Sequence, residues 1–176
     1  MTRPKSLYKY RALSPDSALN YTMQMLSRSE VYFSSPDDFN DPFECQTQVF
    51  VGDDLAPLEQ RNDAGLLQSN RNLMRERLRI FSMSAIYNNS LMWSHYADGH
   101  RGICVGFSTE TDGEWFGLAE PVRYTDELPI VDLTSQGSPR KNFESVALCK
   151  ETRWSYEEEW RIPSMERIRL PGSDLY

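Results

Sequence analysis

Three consecutive acids, Glu157, Glu158 and Glu159, are the part of this sequence with the clearest capacity for chemistry. Trp154, Tyr156 and Trp160 flank them and Arg161 follows. Read as a stretch that ends in a strand, residues 154–162 alternate, so Glu157 and Glu159 share one face with Arg161 while Trp160 and Ile162 take the other. An E-x-E pair on one face holds its carboxylates about 6.5–7 Å apart, from the rise per residue. At that spacing one acid can anchor a ribose hydroxyl or stabilise an oxocarbenium cation while the other polarises a nucleophile. The plainer reading is an edge strand with solvated acids, paired with Arg161 or Arg153.

Residues 79–107, RIFSMSAIYNNSLMWSHYADGHRGICVGF, hold both histidines of the chain and one of its three cysteines. They read as a strand, a short helix carrying Trp93, His95 and Tyr96, a turn through Asp98-Gly99-His100, and a second strand from Gly102. His95 and Tyr96 are expected to face a cleft, with Trp93 and Ile103 in the core. A metal site is not expected: His95, His100 and Cys104 lack helical i, i+3 or i+4 ligand spacing between the histidines, and no CxxC or HExxH is present. Cys104, between Ile103 and Val105, reads as a small apolar strand residue and not as a nucleophile. Gly102 and Gly106 match neither GxGxxG nor the GK[ST] form of a phosphate loop. A hydrolase pairing of Asp41 with His95 has no spacing to support it.

The elements that must position these groups follow from pattern. Residues 7–11 alternate as a half-buried first strand. Ser14-Pro15-Asp16 opens a helix with Ser as N-cap and Pro at the first helical position, and Ala18, Leu19, Met23 and Leu26 form its expected buried stripe. Residues 30–34 read as a second strand. Residues 35–44, SPDDFNDPFE, carry two prolines and two phenylalanines, a segment able to fold back on the core and fix Asn40 and Asp41. Residues 52–62 read as a loop and 66–78 as a helix with Leu66, Leu67, Leu73, Met74 and Leu78 inward. Residues 108–117 form a polar turn, 121–124 a strand, 135–139 a flexible connection and 143–150 a helix. Strands and helices mix without a βαβ rhythm, which predicts an α+β fold.

Composition bounds the rest. A chain of 176 residues, 39% hydrophobic and 26% charged, fits one globular domain over residues 1–176. No apolar run approaches the roughly 18 residues of a membrane span, and the N-terminus lacks a signal-peptide core. Three widely spaced cysteines fit a reduced cytoplasmic protein. The net charge of −7 argues against binding bulk nucleic acid. A basic row, Arg71, Arg75, Arg77 and Arg79, reads as a solvated helix face.

Four motifs in order, LYKYR, YFSSPDDFNDPFE, FS…LMWSHYADGHRGICVGF and WSYEEEWRI, resemble DUF2971, a family of uncharacterised bacterial proteins, over residues 7–162. Members usually continue past the EWRI strand into a further strand and helix, so a terminal element is expected to be absent or replaced in this chain. More distantly, the order of motifs is similar to ADP-ribosyltransferases of the DarT type. That resemblance implies a small mixed or antiparallel split sheet flanked by helices and NAD as substrate. It also implies modification of an unidentified macromolecule, by analogy in a bacterial toxin or phage-defence setting. It places Lys9 or Arg11 on the ribose or phosphates of NAD and Tyr96 or Tyr87 on the nicotinamide, with His95 beside them. Glu159 would hold the ribose 2′-OH and stabilise the oxocarbenium, and Glu157 would position the acceptor. The chain has Lys9 where His or Arg is usual and His95-Tyr96 in place of an S-T-S motif. The alternative is a non-catalytic ligand- or protein-binding module of a defence system, built from the NDPF loop and the MWSHY helix.

Overall fold

Alternating side chains make Ser6–Arg11 a strand, β1, with Leu7 and Tyr10 buried. The computed structural model describes residues 2–41, 44–46, 48–50, 72, 76–132 and 137–165, and the statements below concern those residues. In chain order the helices are α1 (Asp16–Arg28), α2 (Ser90–Tyr96) and α3 (Pro139–Ala147). The strands after β1 are β2 (Gln48–Phe50), β3 (Arg79–Ser84), β4 (Ile103–Ser108), β5 (Glu120–Pro121), β6 (Arg123–Tyr124), β7 (Ile130–Asp132), β8 (Cys149–Lys150) and β9 (Glu159–Ser164). Five strands form one sheet in the order β4-β1-β3-β9-β5, with every pairing antiparallel. Two small parallel pairs, β2 with β7 and β6 with β8, lie outside it. The α+β expectation therefore holds, with an antiparallel main sheet and several helices.

The sheet has a seam. β1 pairs with β4 over six residues and β3 with β9 over six, but β1 and β3 share the single pair Tyr8↔Ser84. Further along the same strand, Ser34 forms an isolated bridge to Ile80, with both backbone hydrogen bonds at 2.9 Å. Residues 30–34 are thus not the expected strand, because one bridge is all the ladder they make. Val31 and Phe33 nevertheless pack against the core.

Three apolar clusters bracket the sheet. Leu7, Phe81, Met83, Trp160 and Ile162 form one, closed by Phe107 and Phe116. Ile80, Leu78, Val49, Val131 and the end of α3 form the second. Tyr10, Met92 and Ala97 form the third, with Trp93, Tyr96 and Cys104 against it. Along β9, Trp160 and Ile162 serve the first cluster while Glu159 and Arg161 take the opposite face, as alternation requires.

Several expectations are corrected by local geometry. Pro15, not Ser14, is the N-cap of α1, and no side chain caps that helix. Its buried positions are Thr22 and Met25, while Leu19, Met23 and Leu26 are exposed. The apolar stripe and the face held by the sheet are offset, since Thr22 bonds Ala12 and Ala18 carbonyls on the buried side. Residues 121–124 split into β5 and β6 around buried Val122. The expected helix at 143–150 begins earlier, at Pro139 after the Ser138 cap, and ends at Ala147, freeing Cys149 and Lys150 to pair with β6. The 52–62 loop, most of the 66–78 helix, including Arg71 and Arg75, and residues 135–136 of the expected connection lie outside the described residues. No helix is long and apolar enough to cross a membrane among the residues described.

The α1 correction has a direct measure. Met25→Ala is expected to lower stability in urea denaturation by about 2–5 kcal/mol. Met23→Ala, on the exposed stripe, should change it by no more than about 0.5 kcal/mol. The reverse order would restore the stripe read from the sequence.

Candidate functional site

Arg161 on β9 is the side chain the site is built around. It is 1% exposed, so its guanidinium has left water completely and depends on protein acceptors. Glu159, two residues earlier on the same strand face, supplies a fork: Nε donates to Oε1 at 2.8 Å and Nη2 to Oε2 at 2.9 Å. Nη2 also donates to Glu44, and Nη1 to the Ala147 carbonyl at 2.8 Å. The Phe39 ring lies under the guanidinium, 5.6 Å from its centroid. Burial pushes Arg161 down to about 9, opposed by the Asp41 charge, so it is cationic at neutral pH.

Lys150 is the second buried cation. Its Nζ donates to Glu157 Oε2 at 2.6 Å and Glu159 Oε2 at 3.2 Å, and it lies 3.8 Å from Glu44 Oε2. The Trp154 ring covers it at 5.0 Å. Burial disfavours the ammonium, but the charges of Glu159 and Glu157 outweigh that and hold its pKa above the ordinary lysine value. Burial raises the pKa of Glu159 despite Lys150.

The two acids do not share a strand. Glu157 ends a 3₁₀ turn, Thr152–Glu157, and Glu158 takes a left-handed conformation (φ 42°) before β9 begins at Glu159. The E-x-E expectation of two carboxylates along one strand is corrected in that respect. They still meet, because both bind the Lys150 ammonium. Nor are they solvated edge acids: both are buried, and β9 lies inside the sheet between β3 and β5. Arg153 pairs with Glu151 instead.

Tyr96, the last residue of α2, donates its hydroxyl to Glu157 Oε1 at 2.6 Å. Burial and the Glu157 charge raise its pKa, while a hydrogen bond from Asn40 opposes the rise. Asn89, the N-cap of α2, accepts from the Leu91 and Met92 amides and donates to the Tyr156 carbonyl at 3.0 Å, which docks the helix on the acid-bearing turn. Ser84 Oγ donates to the Glu157 carbonyl at 2.6 Å and Tyr124 Oη accepts from the Glu159 amide at 2.8 Å.

These groups line a cavity of about 220 Å³ beside the seam, together with Tyr8, Lys9, Phe39, Asn40 and Ser82. Lys9 reaches across the gap between β1 and β3, where its Nζ donates to the Ser82 carbonyl at 2.7 Å. Burial, with help from the Arg11 charge, lowers its pKa to about 8. Of the residues expected at a site, Glu157, Glu159, Tyr96 and Lys9 come together at the cavity. Arg11, Tyr87 and His95 do not line it. Arg11 donates to Thr22 of α1 at 3.4 Å, Tyr87 is exposed against Tyr8, and His95 is exposed beside Tyr96 and Tyr156. Asp41 is buried near Arg161, Cys104 lies in β4 with its thiol pushed up to about 11 by burial, and among the described residues no cluster of His, Cys, Asp and Glu could hold a metal ion. Lys150 and Glu44 were not anticipated. Lys150 was hidden by the expected helix, and Glu44 carried no signal beyond its place at the end of the NDPFE motif.

Residues 92–162 match the family model described as a protein of unknown function, DUF2971. Over this stretch the chain is similar to DUF2971. The resemblance drawn from the motifs is thereby borne out from Met92 to Ile162, a span holding Tyr96, Lys150, Glu157, Glu159 and Arg161. Lys9 and Glu44 complete the cavity from outside the matched span. No curated protein and no solved structure matches the chain.

The network is expected to be unforgiving of a missing cation. Arg161→Met leaves Glu159 and Glu44 short of their common partner and should destabilise by about 3–5 kcal/mol in chemical denaturation; a loss under about 1 kcal/mol would mean the fork is not buried as described. Lys9 carries a pH signature. Its folded value of about 8 lies below the ordinary 10.5, so between those values only the unfolded chain holds the proton and stability from this group rises with pH. Below about 8 the cost of its burial is constant. Calorimetric melting of wild type and Lys9→Met should therefore diverge in favour of the wild type as pH is raised from about 7 to about 10; a pH-independent difference would contradict the lowered value.

Proposed function

We propose that the protein is ADP-ribosyltransferase-like and uses NAD to modify a macromolecule, with the nicotinamide–ribose end of NAD in the seam cavity. The observation that carries this reading is the convergence of Glu157, Glu159, Tyr96 and Lys9, from separate parts of the chain, on one cavity where the sheet is nearly split. At about 220 Å³ the cavity is smaller than the roughly 300–1,000 Å³ typical of sites that enclose a whole drug-sized ligand. It suits one end of a dinucleotide, with the remainder across the mouth near Tyr8 and Tyr87.

In the reaction the bond from ribose C1′ to the nicotinamide nitrogen breaks and nicotinamide leaves with the electron pair. An acceptor nucleophile then bonds to C1′ and loses its proton. Glu159, kept beside two cations, supplies negative charge next to the developing oxocarbenium, and Glu157 lies where an acceptor proton can be taken. Tyr96 offers a ring to the nicotinamide, and Lys9 a cation to the ribose or a phosphate. A cytoplasmic setting in toxin action or phage defence belongs to the same proposal and rests on analogy.

A second reading is favoured by one observation. Glu159 already takes two hydrogen bonds from Arg161, one from Lys150 and one from the Ser82 hydroxyl, which fills its acceptor positions. A carboxylate so occupied suits a non-catalytic module that binds a small polar ligand in the same cavity.

Incubation with NAD labelled in the adenylate half and in nicotinamide separates the two. The transferase reading expects nicotinamide release by the wild type and a drop of about 10²-fold or more in Glu159→Gln, measured on protein whose melting shows it folded. NAD binding without turnover favours the module, and a wild type that neither binds nor cleaves NAD would sink the transferase reading.

A further inference from the structure

We propose that Lys150 is the positioning residue of this site: its ammonium orients Glu157 as the carboxylate that meets the ligand, while Arg161 holds Glu159 in place. This rests on the reading of the seam cavity as a ligand site.

The two acids differ in what they have left to offer. A carboxylate has about four acceptor positions. Those of Glu159 are taken by Arg161, Lys150 and Ser82. Among the described residues Glu157 accepts one bond from Tyr96 on Oε1 and one from Lys150 on Oε2, which leaves about half its capacity. It also lines the cavity. Glu157 is therefore the acid with room for a hydroxyl or a cationic ring, and Glu159 is the acid committed to the sheet.

The cations divide in the same way. Among the described residues Lys150 is the cation within ion-pair distance of Glu157, whereas Glu159 has both Lys150 and Arg161. Lys150 itself is fixed from several sides, by β8 pairing with β6, by Glu44 at 3.8 Å and by the Trp154 ring. Its ammonium is a point charge with three donors, able to span two carboxylates that stand on different elements. Among the described residues no second cation lies within ion-pair distance of Glu157, so the angle at which its remaining lone pairs face the cavity is set between Lys150 and Tyr96.

The test is a pH titration of the glutamate side-chain carboxyls by ¹³C NMR on the full chain, with resonances assigned from Glu157→Gln and Glu159→Gln. Wild type, Lys150→Met and Lys150→Arg are compared. In Lys150→Met the proton affinity of Glu157 should rise at least about tenfold, and more than that of Glu159, which keeps Arg161. Lys150→Arg, which restores the charge, should bring Glu157 back toward wild type. A folded Lys150→Met in which Glu157 titrates as in wild type, or moves less than Glu159, overturns the assignment. Lys150→Gln carries the same comparison should the methionine variant not fold. A lysine that serves the fold without its ammonium bearing on Glu157 would lower the melting temperature without separating the two acids. No NAD enters this measurement, so a protein inert toward NAD would refute the transferase reading and leave the titration to decide the role of Lys150.

Discussion

The buried Arg161–Glu159 fork is the constraint on which the rest of this structure depends. Removing a guanidinium and a carboxylate from water carries a desolvation cost of several kcal/mol per ion, which their attraction offsets only when the geometry is good and the remaining donors are satisfied. Here the fork is bidentate, and two further guanidinium donors reach Glu44 and the Ala147 carbonyl. Satisfying them fixes where other segments go. Glu44 ties down the segment after the Pro36–Asp38 turn, and Ala147 ties the end of α3. Lys150 then ties β8 and the turn before β9 to the same acids. The fork and the lysine beside it thereby tie four pieces of chain together.

That arrangement explains how a polar cavity persists inside an apolar fold. Along one face of the sheet, Ile80 belongs to the cluster under α3, and Tyr10 belongs to the cluster under α2. Between them lie Ser82, Ser84, Glu159 and Arg161, which line the cavity. The near-absence of pairing between β1 and β3 widens the same region, and Lys9 satisfies the Ser82 carbonyl that a continuous ladder would have paired. A closed sheet would have squeezed the cavity out. The seam and the ion network are therefore two sides of one solution, in which backbone left unpaired by the split is satisfied by a side chain that also faces the site.

How much of this was legible follows from the range of the interactions. The central stretch of strand, helix, turn and strand was readable because each part is local: the alternation of β3 and β4 and the cap at Asn89 need only near neighbours. The opposition of Trp160 and Ile162 to Glu159 and Arg161 was readable for the same reason. Glu157 was misplaced by one backbone residue, since a left-handed Glu158 cannot be read from three identical side chains. The exposed stripe on α1 misled because apolar spacing reports a face that is capable of burial, whereas the sheet selected the adjacent face with Thr22 and Met25. Lys150 and Glu44 were illegible in principle: their roles exist only where distant segments meet, and neither lies in a local pattern that demands a charge.

The left-handed residue between the acids also bears on what the site can do. Two carboxylates on one strand are held at a fixed spacing by the backbone and must act as a rigid pair. Here Glu159 belongs to the sheet and Glu157 to a turn docked by Asn89 and Ser84, so the spacing is set by a lysine and not by the strand. A lysine is a compact charge on a flexible stem, a softer link than a peptide backbone. The same division recurs in the family match, which contains both acids and both buried cations but takes Lys9 and Glu44 from outside it. The matched span therefore carries most of the charge network, and the N-terminal part of the chain adds Glu44 to it and Lys9 to the cavity.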